Sequence, residues 1–153
     1  MQLPPGLEFD LALTNTFLCN FRQLFAGQAV IEPRHRTWFG LTADELLRAY
    51  SVGRVAADPA RCPAAAIPGG WPGLRYWRLH GSPRMYFTPY GEDRLRSFAD
   101  RLSPSDWCIF DNTASGAATT DALLLQSIFS HAPTSPMQEQ QDPANAIMMK
   151  EIR

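Results

Sequence analysis

Between residues 7 and 25, in LEFDLALTNTFLCNFRQLF, apolar side chains recur at spacings of three and four (Leu13, Phe17, Phe21, Leu24), the period of a helix. QAVIEPR at 28–34 is short and β-prone, and it ends in charge. LTADELLRAY at 41–50 carries Thr42 with Glu45 three residues on, the capping-box spacing, and predicts a helix start there. GRVAAD at 53–58 reads as a second strand. In LRYWRLHG at 74–81, Trp77 and Leu79 alternate with Arg78 and His80, which predicts a strand with one apolar and one ionisable face. Thr88-Pro89 then offers an N-cap and a first helical position, with Leu95, Phe98, Ala99 and Leu102 as the buried stripe. WCIFDN at 107–112 is the fourth strand, and ASGAATTDALLLQSIF at 114–129 the last helix. Residues 59–73 hold four prolines and three glycines and predict a loop. Residues 130–153 are polar and proline-containing, with only a brief AIMM to bury, and predict a disordered tail behind an ordered domain at 1–129.

Strands separated by helices indicate an α/β domain whose sheet is parallel and whose crossovers are helical. About four strands are too few to close a barrel, which needs about eight. An open sheet of four would leave two edges exposed. The pattern is that of part of a larger scaffold.

Composition narrows the function classes. The formal charge is −1 across 153 residues, which argues against a surface built to grip nucleic acid or anionic lipid. The bases are lopsided, thirteen Arg against the single Lys150. Arginine suits planar two-pronged anion contacts, while the high Ala and Pro content fits a compositional bias instead. Cys19, Cys62 and Cys108 have no CxxC spacing and no secretory segment beside them, so reduced thiols in the cytoplasm are expected. No apolar run reaches the ~18 residues of a membrane span.

All four strands turn polar at their C-terminal ends: Glu32 and Arg34, Asp58, Arg78 and His80, then Asp111, Asn112 and Thr113. In parallel α/β folds that end is the rim where ligands bind. Any one of these residues has a structural alternative, as a helix cap or a satisfied core group. Charges are seldom buried unpaired, so a network is expected, with Glu32 against Arg78 or Arg34. Histidine changes charge nearest neutral pH, which makes His80 the acid–base candidate. Thr113, Ser115 and Gly116 open the last helix, where free N–H groups would receive an anion; close packing of helix on strand explains the same small residues. Glu32, Asp58, His80 and Asp111 are metal-ligand types without a local metal motif, so no metal is expected. No GxSxG and no phosphate-loop pattern occurs, and nothing names a cofactor.

The blocks QLPPGLEFD, EPRHRTWF, RYWRLHGSPRMY and IFDNTASGAA, in this order, resemble those of the YecE-like family, domain of unknown function 72. The resemblance runs from Gln2 to about Ile128. It implies a TIM-barrel-like fold, here a partial (β/α)8 barrel consisting of the C-terminal half. It also carries a label of kinship to sugar isomerases at the level of fold. The family's recurring polar residues fall on Glu32, Arg34, His35, Arg78, His80, Gly81, Asn112 and Thr113, with Asp58 a looser match. Family members are about twice as long, so the first four strands are expected to be missing from this chain.

Three readings follow. An intact barrel would bind a sugar phosphate or similar small anion at the rim, with Glu32, Asp58 and His80 catalytic. Arg34, His35, Arg78, Gly81, Asn112, Thr113, Ser115 and Gly116 would then bind the substrate. A truncated, non-catalytic half-barrel would instead need a second copy of itself or a separately encoded N-terminal half. A phosphodiester or nucleic-acid enzyme would use the same arginines, against the near-neutral charge.

Overall fold

The computed structural model describes residues 1–131. Asp10 begins the first helix, α1 (Leu11–Leu24), its carboxylate accepting the Leu13 N–H at 2.7 Å. The chain continues through β1 (Ala29–Ile31), α2 (Leu41–Ala49), β2 (Val52–Arg54), β3 (Ala56–Asp58) and β4 (Gly69–Gly70). It ends with β5 (Tyr76–Leu79), α3 (Glu92–Ala99), β6 (Trp107–Phe110) and α4 (Ala117–His131). The polar tail expected from residue 130 lies outside the described residues, apart from its first two, which finish α4.

The strands form two three-stranded sheets, ordered β1-β2-β4 and β3-β5-β6, and neither closes on itself. Pairing is parallel for β1 with β2, β3 with β5 and β5 with β6. The stretch expected as one strand at 53–58 is two, interrupted at Val55, whose N–H still donates to Ile31 O at 2.9 Å. Its first half pairs with β1 and its second with β5, so one run of backbone joins both sheets.

Among the described residues six strands therefore replace the four expected, and one is antiparallel: Gly69 and Gly70, assigned to a loop by composition, pair with Arg54 and Gly53. Bare glycine is what permits this. A Cβ on Gly69 would overlap the Arg54 guanidinium, and Gly70 has φ +64°. Two helix starts also move. Thr42 lies inside α2, which begins at Leu41 after Gly40, with no side-chain cap. Thr88-Pro89 precedes α3 by a turn, and Gly91 at φ +74° opens that helix. At α3 a left-handed glycine displaced the side-chain cap that the sequence offered, whereas Gly40 before α2 has an ordinary extended backbone, φ −88°.

Apolar side chains gather in two clusters. Leu18, Ile31, Trp38, Leu47 and Val52 fill the space between β1–β2 and α1 with α2. Leu79, Tyr90, Leu95, Phe98, Leu125 and Ile128 do the same between β5–β6 and α3 with α4. Full burial of each such aliphatic or aromatic side chain contributes roughly 1.5–3 kcal/mol. The α1 stripe behaves differently. Thr14 and Leu18 are buried, whereas Leu13 and Leu24 are 65% and 89% exposed and Phe17 is nearly half exposed. Among the described residues no helix is long and apolar enough to cross a membrane.

Candidate functional site

The residues that follow the parallel strands converge. Ile31, Leu79 and Phe110 pack toward the helices, so alternation turns Glu32, Arg78, His80 and Asp111 to the opposite face of the sheets. There Glu32, only 3% exposed, accepts from Arg78 Nη1 at 2.5 Å and lies 2.9 Å from Arg34 Nη2. The other Arg78 terminal nitrogen donates to Asp111 Oδ2 at 2.6 Å. His80, 1% exposed, is clasped between the two carboxylates: Nε2 lies 3.2 Å from Glu32 Oε1 and Nδ1 lies 3.0 Å from Asp111 Oδ2. Three strand ends thus supply a closed ring of two carboxylates, one guanidinium and one imidazole, and Arg34 reaches in from beyond β1.

Electrostatics keep Glu32 and Arg78 charged. Burial alone would raise the Glu32 carboxyl; hydrogen bonds from His80 and Arg78 and the charges of Arg34 and Arg78 overcome it and hold the group at about 2, below its ordinary 4.5. Burial works against the Arg78 charge too, but Glu32 and Asp111 outweigh it and raise that group further. Chemically, a buried imidazole with a carboxylate at each nitrogen can carry a proton to either side while its ring stays fixed. Glu32, His80 and Asp111 are metal-ligand types, but their polar atoms face one another or the arginines. Among the described residues no group of three such side chains is arranged to hold an ion.

Other predicted site residues stand elsewhere. Asp58 pairs in register with Leu79 and so points to the helix side, where its carboxylate accepts from Tyr90 Oη and Arg94 Nη2, each at 2.9 Å. Only its backbone approaches His80, accepting that residue's N–H at 2.8 Å. Asn112 also points toward the helices, fully buried, and its Nδ2 donates to Asp121 Oδ2 at 2.6 Å. His35 caps the short 3-10 turn Arg36–Phe39 through Nδ1 and does not join the ring. Gly81 has φ +89°, and a Cβ there would come within 2.9 Å of Thr88 O, so its glycine is a requirement of the backbone. Thr113, Ser115 and Gly116 form an exposed turn ahead of α4; the Gly116 N–H already donates to Thr113 O, which removes one donor expected for an anion.

Sequence reasoning set Asp111 at the polar rim and among the metal-ligand types but not among the catalytic or substrate-binding residues, although its alternation with Ile109 was readable. Gln2 was missed entirely. Residues 1–3 run alongside β1, with Leu3 N–H donating to Glu32 O at 2.9 Å, and this brings Gln2 Oε1 to 3.2 Å from Arg78 Nη1. Tyr86, at φ +69°, sets its ring edge-on to His80 with centroids 5.8 Å apart. No local sequence signal marks either.

Fold and site together define an α/β protein with parallel strands and a buried ion network where those strands end. The chain belongs to the family described as protein of unknown function DUF72, whose profile matches residues 1–146. It is similar to the solved structure of a DUF72 family protein from Thermotoga maritima, at 21% identity and a TM-score of 0.67, covering 84% of this chain and 56% of that one. It is also similar to a DUF72 family protein from Enterococcus faecalis, at 16% identity and a TM-score of 0.67, covering 84% and 57%. At these identities the likeness is one of fold. The chain spans a little over half the length of these solved relatives. No curated protein matches it.

Proposed function

We propose that this chain is one half of a TIM-like barrel whose strand ends bind a small anionic molecule, such as a sugar phosphate, and that Glu32 and His80 handle a proton there. One observation carries the reading: Glu32, Arg78, His80 and Asp111, from three separate strands, meet in a single part-buried ring at the strand C-termini. Parallel neighbours running β1, then β2 continued by β3, then β5 and β6 support the half-barrel part. His80 is the acid–base group, Glu32 and Asp111 orient its ring, and Arg78 holds the two carboxylates together. Asp58 supports the rim from the helix side. Isomerisation or phosphate-ester chemistry both fit such a group set.

Thermal-shift measurements against a panel of sugar phosphates and their unphosphorylated parents test this. At least one phosphate should raise the melting temperature, and His80→Asn should abolish the rise. No shift from any compound, in a sample that melts cooperatively, rejects the reading.

A second reading, a non-catalytic half that must be completed by a second copy or a separate N-terminal half, is favoured by the exposed Leu13, Phe17 and Leu24 on α1 and by the unclosed sheets. If a second copy completes it, light scattering on the purified chain should give twice the 17.1 kDa mass. A stable monomer with cooperative unfolding would remove the need for a partner.

A further inference from the structure

The arginine expected to hold an anion, Arg78, is engaged at both terminal nitrogens, by Glu32 and Gln2 on one and Asp111 on the other. Arg34 is not. Its Nη2 lies 2.9 Å from Glu32 Oε1, a charge contact whose angle makes no hydrogen bond, and Nε and Nη2 are both buried without a hydrogen-bond partner. Buried donors left in this state call for a ligand or a solvent molecule. Arg34 also lines a cavity of about 250 Å³ whose wall includes Arg61, Phe39, Val55, Ala57 and Met85. Arg61 is exposed and forms no hydrogen bond or ion pair among the described residues. Arg34 and Arg61 therefore both line one largely apolar hollow whose lining includes no carboxylate. Contrast Arg22 beside another cavity, whose nitrogens donate to the carbonyls of Tyr50, Phe25, Gly27 and Ser51.

We infer that this hollow between Arg34 and Arg61 is an oxyanion subsite, which receives the carboxylate or phosphate end of a small ligand while Glu32 and His80 meet its other end. The inference rests on the reading of the ion ring as a small-molecule site and adds where the anionic end sits. Guanidinium donors in a fixed fork match either oxyanion, and apolar walls strengthen the contact by excluding water. The volume lies below the ~300–1,000 Å³ usual for drug-sized ligands. That size selects a compact metabolite. Val55 and Ala57 belong to the same strand run that joins the two sheets, and Arg34 touches Glu32, so the subsite adjoins the ring through the Arg34–Glu32 contact. Every residue named lies within this chain, so the subsite is testable without any partner.

Calorimetric titration of the full chain with inorganic phosphate, and separately with malonate, provides the test. At least one probe should bind saturably, and the tighter of the two identifies the anion. Arg61→Ala should raise its Kd at least tenfold while leaving the chain folded, because Arg61 is exposed and forms no hydrogen bond or ion pair among the described residues. Arg34→Lys should weaken binding less than Arg34→Met, and Arg36→Ala, an exposed arginine on the neighbouring turn, should stay within twofold of wild type. Absence of saturable binding by either probe to folded protein overturns the subsite. So does an Arg61→Ala variant that binds as wild type. If sugar phosphates still stabilise the chain in a His80-dependent manner while Arg61→Ala has no effect, the ring keeps its proposed role and only the placement of the anion falls.

Discussion

Arg78→Ala is expected to destabilise the chain by about 3 kcal/mol, read from denaturant melts. Removing one partner of a buried pair costs roughly 3–5 kcal/mol, since the other charge stays behind without compensation. The lower end applies because Glu32 keeps Arg34 at 2.9 Å and His80 at 3.2 Å, and because the Arg78 side chain is 22% exposed. Part of the loss comes from Asp111, which gives up a 2.6 Å charge-assisted bond. The double variant Arg78→Ala with Glu32→Gln should lose at least about 1 kcal/mol less than the sum of the two single variants, a coupling of the usual size for residues in contact. Additive losses would mean that the short contact contributes no net attraction.

The same coupling has a pH signature. Glu32 sits at about 2 when folded against an ordinary 4.5, so its folded form holds the proton more weakly than the unfolded chain does. Its contribution is complete above about pH 4.5 and is lost as pH falls through about 2, an effect of roughly 3 kcal/mol by linkage. Between those limits the stability of wild type should fall more steeply than that of Glu32→Gln, which has no proton to take up at that position. Parallel curves would place the carboxylate outside the network.

Legibility in the sequence followed the range of the forces involved. Alternation along β5 is local, and it correctly set Arg78 and His80 opposite Trp77 and Leu79. Strand–helix order is also nearly local, and the parallel pairing of β1 with β2 and of β5 with β6 matches it. Contacts made by chain segments far apart were not readable. Gln2 reaches Arg78 across 76 residues of sequence, only because residues 1–3 lie beside β1. The split of the 53–58 stretch depends on having β1 on one side and β5 on the other. Glycine misled in two directions. Gly69 and Gly70 read as loop residues yet carry a strand, and Gly91 opened α3 where Thr88-Pro89 gave the better local signal.

Polar strand ends were read as one group, and the structure divides them into two. Successive residues point to opposite faces, so Asp111 enters the ring while Asn112 turns toward the helices. There Asn112 joins Asp121, Tyr90, Asp58 and Arg94 in a second chain of hydrogen bonds. Tyr90 Oη accepts the Gly81 N–H at 2.9 Å and donates to Asp58 Oδ2, while burial, opposed by the bond from Gly81 and aided by the Asp58 charge, raises its phenol and keeps it a donor. This second network thus grips the backbone on both sides of His80: Gly81 directly after it, and Asp58, whose carbonyl accepts the His80 N–H. The position of His80 within the ring is therefore expected to depend on it.

Asp121→Ala isolates that dependence and is expected to cost about 2–4 kcal/mol. Asp121, 3% exposed, accepts the Tyr90 N–H at 3.0 Å and Asn112 Nδ2 at 2.6 Å. Alanine leaves both donors buried, at roughly 1–3 kcal/mol for each one unsatisfied. Asn112 retains a weaker bond to Thr88 O at 3.2 Å, which limits its share. Asp121→Asn keeps an acceptor without the charge and should fall between wild type and alanine. Asn112 Oδ1 is already buried without a partner, so pairing Asp121→Ala with Asn112→Leu removes the stranded amide altogether and should recover part of the loss. Chemical shifts of the His80 ring supply the second readout. They should move in Asp121→Ala and stay in place in a control of equal stability cost made in the Leu18 cluster, behind the other sheet. Equal shifts in both variants would reduce Asp121 to general packing, and a loss under about 0.5 kcal/mol would remove it from the support of the site.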